Sequence, residues 1–146
     1  MTTLQRRRIL LVDDDPAGAE LTVAALAVVD PDSEVEVVAD GEEALDYVFR
    51  RGAFADRTEE LPGAMLLDLK MPKVDGHEVL RQIRREWHLR DLKIIVLTSS
   101  DQAHDRILSR ELGCNGYLVK PASIAGLIEL LRTCTGLIPP DEAPAC

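Results

Sequence analysis

The chain has 146 residues, enough for one domain and short for two. Apolar residues make up 46% of it but aromatics only 3%, so its core must be built from Leu, Val, Ile and Ala. A net charge of -9 disfavours direct binding to nucleic acid, whose phosphates reward basic surfaces, and no apolar run approaches the roughly 18–20 residues needed to cross a bilayer.

In chain order, Arg6, Arg7 and Arg8 read as a solvated cluster ahead of the first strand, with a leader over residues 1–7. Ile9 to Val12 is a short apolar run that stops at Asp13, Asp14 and Asp15. It is too short for the apolar core of a signal peptide, so the chain is expected to be cytoplasmic. Residues about 16–29 carry Leu21, Ala24, Ala25 and Val28 at helical spacing, with Asp15 as the cap and Pro16 at the first position. Val35 to Val38 alternates with Glu36 and reads as a more exposed strand at a sheet edge. Gly41 to Arg50 groups Ala44, Leu45 and Val48 as a second helix, and Arg50 to Pro62 reads as a long polar surface loop.

Ala64 to Leu67 is a second apolar run, stopping at Asp68. Gly76 to Trp87 groups Val79, Leu80 and Ile83 as a helix, with Met71-Pro72 and Asp75-Gly76 as the turn and helix entry before it. Ile94 to Leu97 stops at Thr98; Gln102 to Leu112 then groups Ala103, Ile107 and Leu108. Tyr117 to Val119 stops at Lys120, and Ser123 to Cys134 groups Ile124, Leu127, Ile128 and Leu131. Gly113 and Gly136 sit where left-handed helix ends are expected. Residues 136–146 form a proline-containing tail. Cys114, Cys134 and Cys146 are odd in number and widely spaced, which suits free thiols better than a disulfide framework or a zinc site. Uninterrupted apolar strands alternating with helices predict an α/β domain over 8–135, a parallel sheet covered on both faces.

Ligands of open α/β sheets bind beyond the carboxyl ends of the strands. Here those ends supply Asp13, Asp14, Asp68, Thr98 and Lys120. Taken singly, an Asp after a strand is more often a turn former; four polar strand ends at one edge are much harder to explain that way. Crowded carboxylates need a counter-ion, and oxygen donors without His or Cys favour Mg²⁺ over zinc. A carboxylate there can act as nucleophile toward phosphorus, with Lys120 as a point charge and the Thr98 hydroxyl as a donor. His77 and His104 have no Cys or His partners at metal-ligand spacing, and Trp87 and His88 read as packing residues or as residues without a role.

The segments Leu11-Val12-Asp13-Asp14-Asp15, Leu66 to Gly76, Val96 to Ser100 and Gly116 to Pro121 resemble the receiver domains of bacterial two-component response regulators, in the right order. The resemblance implies a flavodoxin-like (βα)5 doubly wound fold with strand order 2-1-3-4-5. It implies Asp68 as phosphoacceptor, Asp14 as a direct metal ligand, Asp13 acting partly through water, and the Lys70 backbone carbonyl completing the Mg²⁺ site. Thr98 and Lys120 match the switch hydroxyl and the phosphate-binding lysine, Tyr117 the aromatic switch, and Lys120-Pro121 a bond that is usually cis. The Ser99 backbone N–H is expected to face the phosphoryl group.

The long loop and the C-terminal tail are similar to receiver-only regulators paired with bacterial phytochromes. The implied partners are a sensor histidine kinase, such as a bacteriophytochrome, and a downstream protein or phosphotransfer protein. No room is expected for an output domain, so self-association through the fourth helix, fifth strand and fifth helix is a further expectation. The competing readings are a phosphotransfer intermediate, a degenerate receiver that only binds protein, and a dehalogenase-like phosphatase. The phosphatase needs an acid/base Asp two residues beyond its nucleophile, where this chain has Lys70.

Overall fold

Each apolar run becomes a strand in the computed structural model, which describes residues 8–58, 60–71 and 73–133. The elements are β1 (Arg8–Val12), α1 (Pro16–Val29), β2 (Glu34–Val38), α2 (Gly41–Phe49), β3 (Ala64–Leu67), α3 (Gly76–Arg85), β4 (Lys93–Thr98), α4 (Ala103–Glu111), β5 (Gly116–Val119) and α5 (Ile124–Arg132). Short 3₁₀ turns at Gly52–Phe54 and Trp87–Leu89 precede β3 and β4. The strands pair in parallel in the order β2-β1-β3-β4-β5. This is the flavodoxin-like arrangement.

Successive strand residues point to opposite faces, which sorts the core into two halves. Ile9, Leu11, Ala64, Leu66, Ile95 and Leu97 meet Ala25 and Leu26 of α1 and Leu127 and Leu131 of α5. Leu10, Val12, Met65, Leu67 and Ile94 meet Leu45 and Val48 of α2 and Val79, Leu80 and Ile83 of α3. Asp40, Asp75 and Ser123 cap α2, α3 and α5, each accepting a backbone N–H from inside its helix, and Asp15 does the same for α1. α4 has no side-chain cap.

Several expectations are corrected. The buried side of α1 is Ala19, Thr22, Ala25 and Leu26, whereas Leu21 and Val28 face solvent. With apolar residues on nearly every side, spacing alone cannot choose the inward face. In α4 the buried residues are polar, Asp105 and Ser109, while Ala103 and Ile107 are exposed. Arg8 is not solvated leader: it lies in β1, its guanidinium donating to Tyr47 Oη (2.5 Å) and to the Glu60 carbonyl (2.7 Å). The connection before β3 is strapped down, because the Phe54 ring meets Tyr47 edge-on at 5.0 Å and Arg57 stacks over the same ring at 4.5 Å.

The Lys120–Pro121 bond is trans, correcting the cis expectation; trans is the lower-energy form of an ordinary X–Pro bond. Gly113 does take the left-handed conformation, at φ 102°. Gly136, the leader over 1–7, the tail, Cys134 and Cys146 lie outside the described residues. Cys114 is a free thiol.

Candidate functional site

The parallel ladder continues one residue past the strands and thereby fixes the polar ends. The Asp13 N–H donates to the Val38 carbonyl (3.1 Å), the Asp68 N–H to that of Val12 (3.1 Å) and the Lys120 N–H to that of Thr98 (2.7 Å). Asp13, Asp68, Thr98 and Lys120 are therefore aimed by the sheet itself. Oxygens of Asp13, Asp14 and Asp68 all lie within 4.8 Å of one another. Asp13 and Asp68 are buried, and Asp14 is exposed at the mouth.

Lys120 reaches across the sheet to this cluster, with Nζ 3.0 Å from Asp13 Oδ2 and 3.5 Å from Asp68 Oδ2. Burial by itself would pull its ammonium down, but the Asp13 hydrogen bond and both carboxylate charges outweigh that and hold it above the usual lysine value. Three carboxylates against one ammonium leave the pocket short of positive charge. Its all-oxygen donor set suits a hard divalent cation. The Lys70 backbone N–H donates to Asp68 Oδ1 (3.4 Å), and the Asp15 N–H to Asp13 Oδ1 (3.0 Å), so the loops after β3 and β1 wrap the carboxylates. Gly76 is required by this packing: a Cβ there would lie 2.3 Å from the Asp68 carbonyl oxygen.

Thr98 is fully buried at the end of β4, and Ser99 is exposed in the loop beyond it. Tyr117 on β5 donates its hydroxyl to the Ser100 carbonyl (2.9 Å), under the guanidinium of Arg106, 4.7 Å from its ring centre. Burial raises the Tyr117 phenol above its usual range, so it stays a neutral donor. Asp13, Asp14, Asp68 and Lys120 thus meet in one cluster, while Thr98 and Tyr117 are linked to each other through Ser100 in the loop after β4.

Sequence reasoning missed the connecting residue. Ser100 donates its N–H to Thr98 Oγ1 (3.4 Å) and its hydroxyl to Asp105 Oδ2 (2.5 Å). Its carbonyl takes the Tyr117 hydroxyl, so one serine ties three side chains. The Ser100 hydroxyl bond is the main reason the Asp105 carboxyl sits below its usual value, against the opposing effect of burial; Lys70 and His104 add to it. His77 Nε2 lies 3.0 Å from Ser109 Oγ, joining α3 to α4. A signal for the serine and Asp105 was present in their five-residue separation across a helix start, but nothing in the pattern marked it.

The response regulator receiver domain family matches residues 9–132. The chain belongs to that family. This receiver is 42% identical over 119 residues to the probable methanogenesis regulatory protein FilR2 of Methanothrix harundinacea, covering 82% of this chain and 75% of that one. It is 36% identical to the response regulator MprA of Mycobacterium sp. (strain KMS), covering 94% of this chain but only 54% of that relative's length.

Among solved structures, the phosphorylated cyanobacterial phytochrome response regulator RcpA superposes with a TM-score of 0.82 at 33% identity, covering 90% of this chain and 93% of that one. The bacteriophytochrome response regulator RtBRR does so with 0.75 at 46%, covering 86% and 75%. A Mn²⁺-bound form of the response regulator Rcp1 matches with 0.82 at 31%, covering 95% and 99%. The solved structures that resemble this receiver thus include phytochrome response regulators, as the loop and motifs implied. Among the described residues no helix is long and apolar enough to cross a membrane.

Proposed function

We propose that this receiver accepts a phosphoryl group on Asp68 from a phosphohistidine of a sensor kinase, in a Mg²⁺-dependent reaction, and signals through the surface around α4, β5 and α5. The observation that carries the reading is the Asp68 carboxylate held between an acidic pair and an ammonium 3.5 Å away. Asp13, Asp14, Asp68 and the Lys70 carbonyl would hold Mg²⁺, which neutralises charge on the transferring oxygens. An Asp68 oxygen attacks phosphorus; the P–O bond forms as the P–N bond of the donor breaks, and the imidazole leaves with the electron pair. Lys120 holds the phosphoryl oxygens, and the Ser99 N–H and Thr98 hydroxyl donate to them. The product adds about 1.5–2 negative charges, drawing Thr98 inward and, through Ser100, shifting Tyr117 and α4. Slow self-hydrolysis of the aspartyl phosphate would reset the site.

A small phosphodonor with Mg²⁺ should add the mass of one phosphoryl group to the wild-type chain and none to Asp68→Asn; labelling that survives the substitution rejects the reading. The receiver over 8–135 is cytoplasmic in this scheme, its kinase a bacteriophytochrome, and its output a protein partner or a further phosphotransfer protein.

A second copy of the chain is the partner favoured by one further observation. Ile107 on α4 is 56% exposed and Ile124 at the start of α5 is 41% exposed, flanking the edge strand β5. Sedimentation of the chain with and without beryllofluoride should show a mass increase on activation, lost in Ile107→Glu. Equal masses in both states reject dimerisation driven by phosphorylation.

A further inference from the structure

The acceptor chemistry leaves Asp105 unexplained. It occupies the inward side of α4 at 4% exposure, a place where a helix ordinarily buries an apolar side chain. Its Oδ2 takes the Ser100 hydroxyl at 2.5 Å and lies 3.6 Å from Lys70 Nζ, and its Oδ1 lies 3.5 Å from His104 Nδ1. The Ser100 bond fixes the carboxylate, and α4 fixes its backbone. Lys70 is the opposite kind of group, a flexible stem with a side chain 67% exposed. Its backbone belongs to the acceptor loop, two residues beyond Asp68, and it lines a cavity of about 410 Å³ shared with Asp14, Asp75 and His77. That cavity opens beside the acidic cluster, since Asp14 belongs to both.

We propose that Asp105 is a positioning residue for phosphoryl transfer: it holds the Lys70 ammonium against α4 and so withholds a second positive charge from the mouth of the acceptor pocket. The inference rests on the reading of Asp68 as phosphoacceptor. A donor bearing two negative charges meets three carboxylates and a single committed lysine, Lys120. Lys70 shares the mouth's cavity with Asp14, and Asp105 pairs with its ammonium. An ion pair with one exposed partner is weak, so the restraint is graded rather than absolute. It also couples the two ends of the signal: any shift of Ser100 that loosens Asp105 frees Lys70.

The test compares second-order phosphorylation rates with acetyl phosphate and saturating Mg²⁺. Asp105→Asn keeps an acceptor for the Ser100 hydroxyl but removes the charge. It should react about two- to fivefold faster than wild type, an increase of the size a weak ion pair allows. The gain should shrink with added salt and be smaller for phosphoramidate, which carries less negative charge. Asp105→Glu should return the wild-type rate. The decisive comparison is Asp105→Asn/Lys70→Met against Lys70→Met alone, where the gain should vanish. A gain that persists without Lys70, or a slower Asp105→Asn, overturns the proposal. If Asp105→Asn does not fold by circular dichroism, Asp105→Ser takes its place in the same comparison. Asp68→Asn separates the two levels: labelling that survives it overturns the acceptor reading, whereas Asp68-dependent labelling insensitive to Asp105 overturns this inference alone.

Discussion

At the residue scale the site turns on Lys120, because among the described residues it is the cation paired with Asp13 and Asp68. Replacing it by Met leaves two buried carboxylates facing each other. Without divalent cation the variant should lose about 1–3 kcal/mol of stability near neutral pH, measured by urea unfolding. The pH dependence follows from the direction of its shift. A lysine whose folded pKa is raised contributes stability that is fully present below the unfolded value of about 10.4, and loses it as pH rises through the folded value. The gap between wild type and Lys120→Met should therefore be constant at neutral pH and close in strongly alkaline solution, as Lys120 loses its proton. A gap that opens on the acid side would contradict the ion-pair geometry. The positions of Asp68, Asp13, Asp14, Thr98 and Lys120 at one sheet edge were legible in the sequence because they end apolar strands abruptly. Ser100 and Asp105 were not, since their meaning lies in a hydrogen bond across a loop whose path no periodicity encodes.

At the element scale, α4 differs from its neighbours. It lacks a side-chain cap, its inward side is polar, and Ile107 faces solvent. Its hold on the fold is mostly directional, through Asp105, through Ser109 on His77 and through Tyr117 under Arg106. Such contacts exchange between alternatives more readily than apolar packing, which is what an element expected to move requires. The rest of that region is pinned by Arg84 at the end of α3. Its guanidinium donates to the carbonyls of Gly113 (3.0 Å), Leu89 (3.2 Å), Arg90 (3.4 Å) and Leu92 (2.8 Å) and to Asn115 Oδ1 (2.9 Å). Asn115 Oδ1 also takes the Ile94 N–H at 2.7 Å, so the start of β4 hangs on the same group. Burial pulls the Arg84 pKa down, but an arginine stays charged. Arg84→Ala should cost about 2–4 kcal/mol in urea unfolding, and Arg84→Lys should recover little of it, since one ammonium cannot reach five acceptors set in a fork. Full recovery by lysine would show that charge rather than geometry matters. Nothing in the sequence pattern marks Arg84 for this role. The strands were legible from apolar runs and the start of α1 from its capping Asp15, but the inward side of α1 was hidden by its uniform apolarity and that of α4 by its polarity.

At the scale of the whole molecule, the fold spends stability to keep its acidic edge open. The sheet draws Asp13 and Asp68 into the interior at the ends of β1 and β3, and the chain as a whole carries a net charge of -9. Self-repulsion of that kind weakens the compact state, and it is relieved by whatever cation binds the folded pocket and not the open chain. Mg²⁺ at about a hundred times its dissociation constant should therefore stabilise the wild type by about 2.7 kcal/mol, seen as a rise of several degrees in Tm. Asp14→Asn, at the exposed member of the cluster, should separate the two effects. It removes a repelling charge, so the cation-free protein should be no less stable than wild type, while the gain from Mg²⁺ should largely disappear. A Tm that rises equally in both chains would place the cation elsewhere, and a fall in the cation-free variant would mean that Asp14 is held by contacts the pocket's charge balance does not explain. Net charge and composition exclude partners but cannot reveal this arrangement. It depends on the neighbouring residues 13 and 14 being brought to the distant residue 68 by a strand order that sets β1 beside β3 rather than running in sequence.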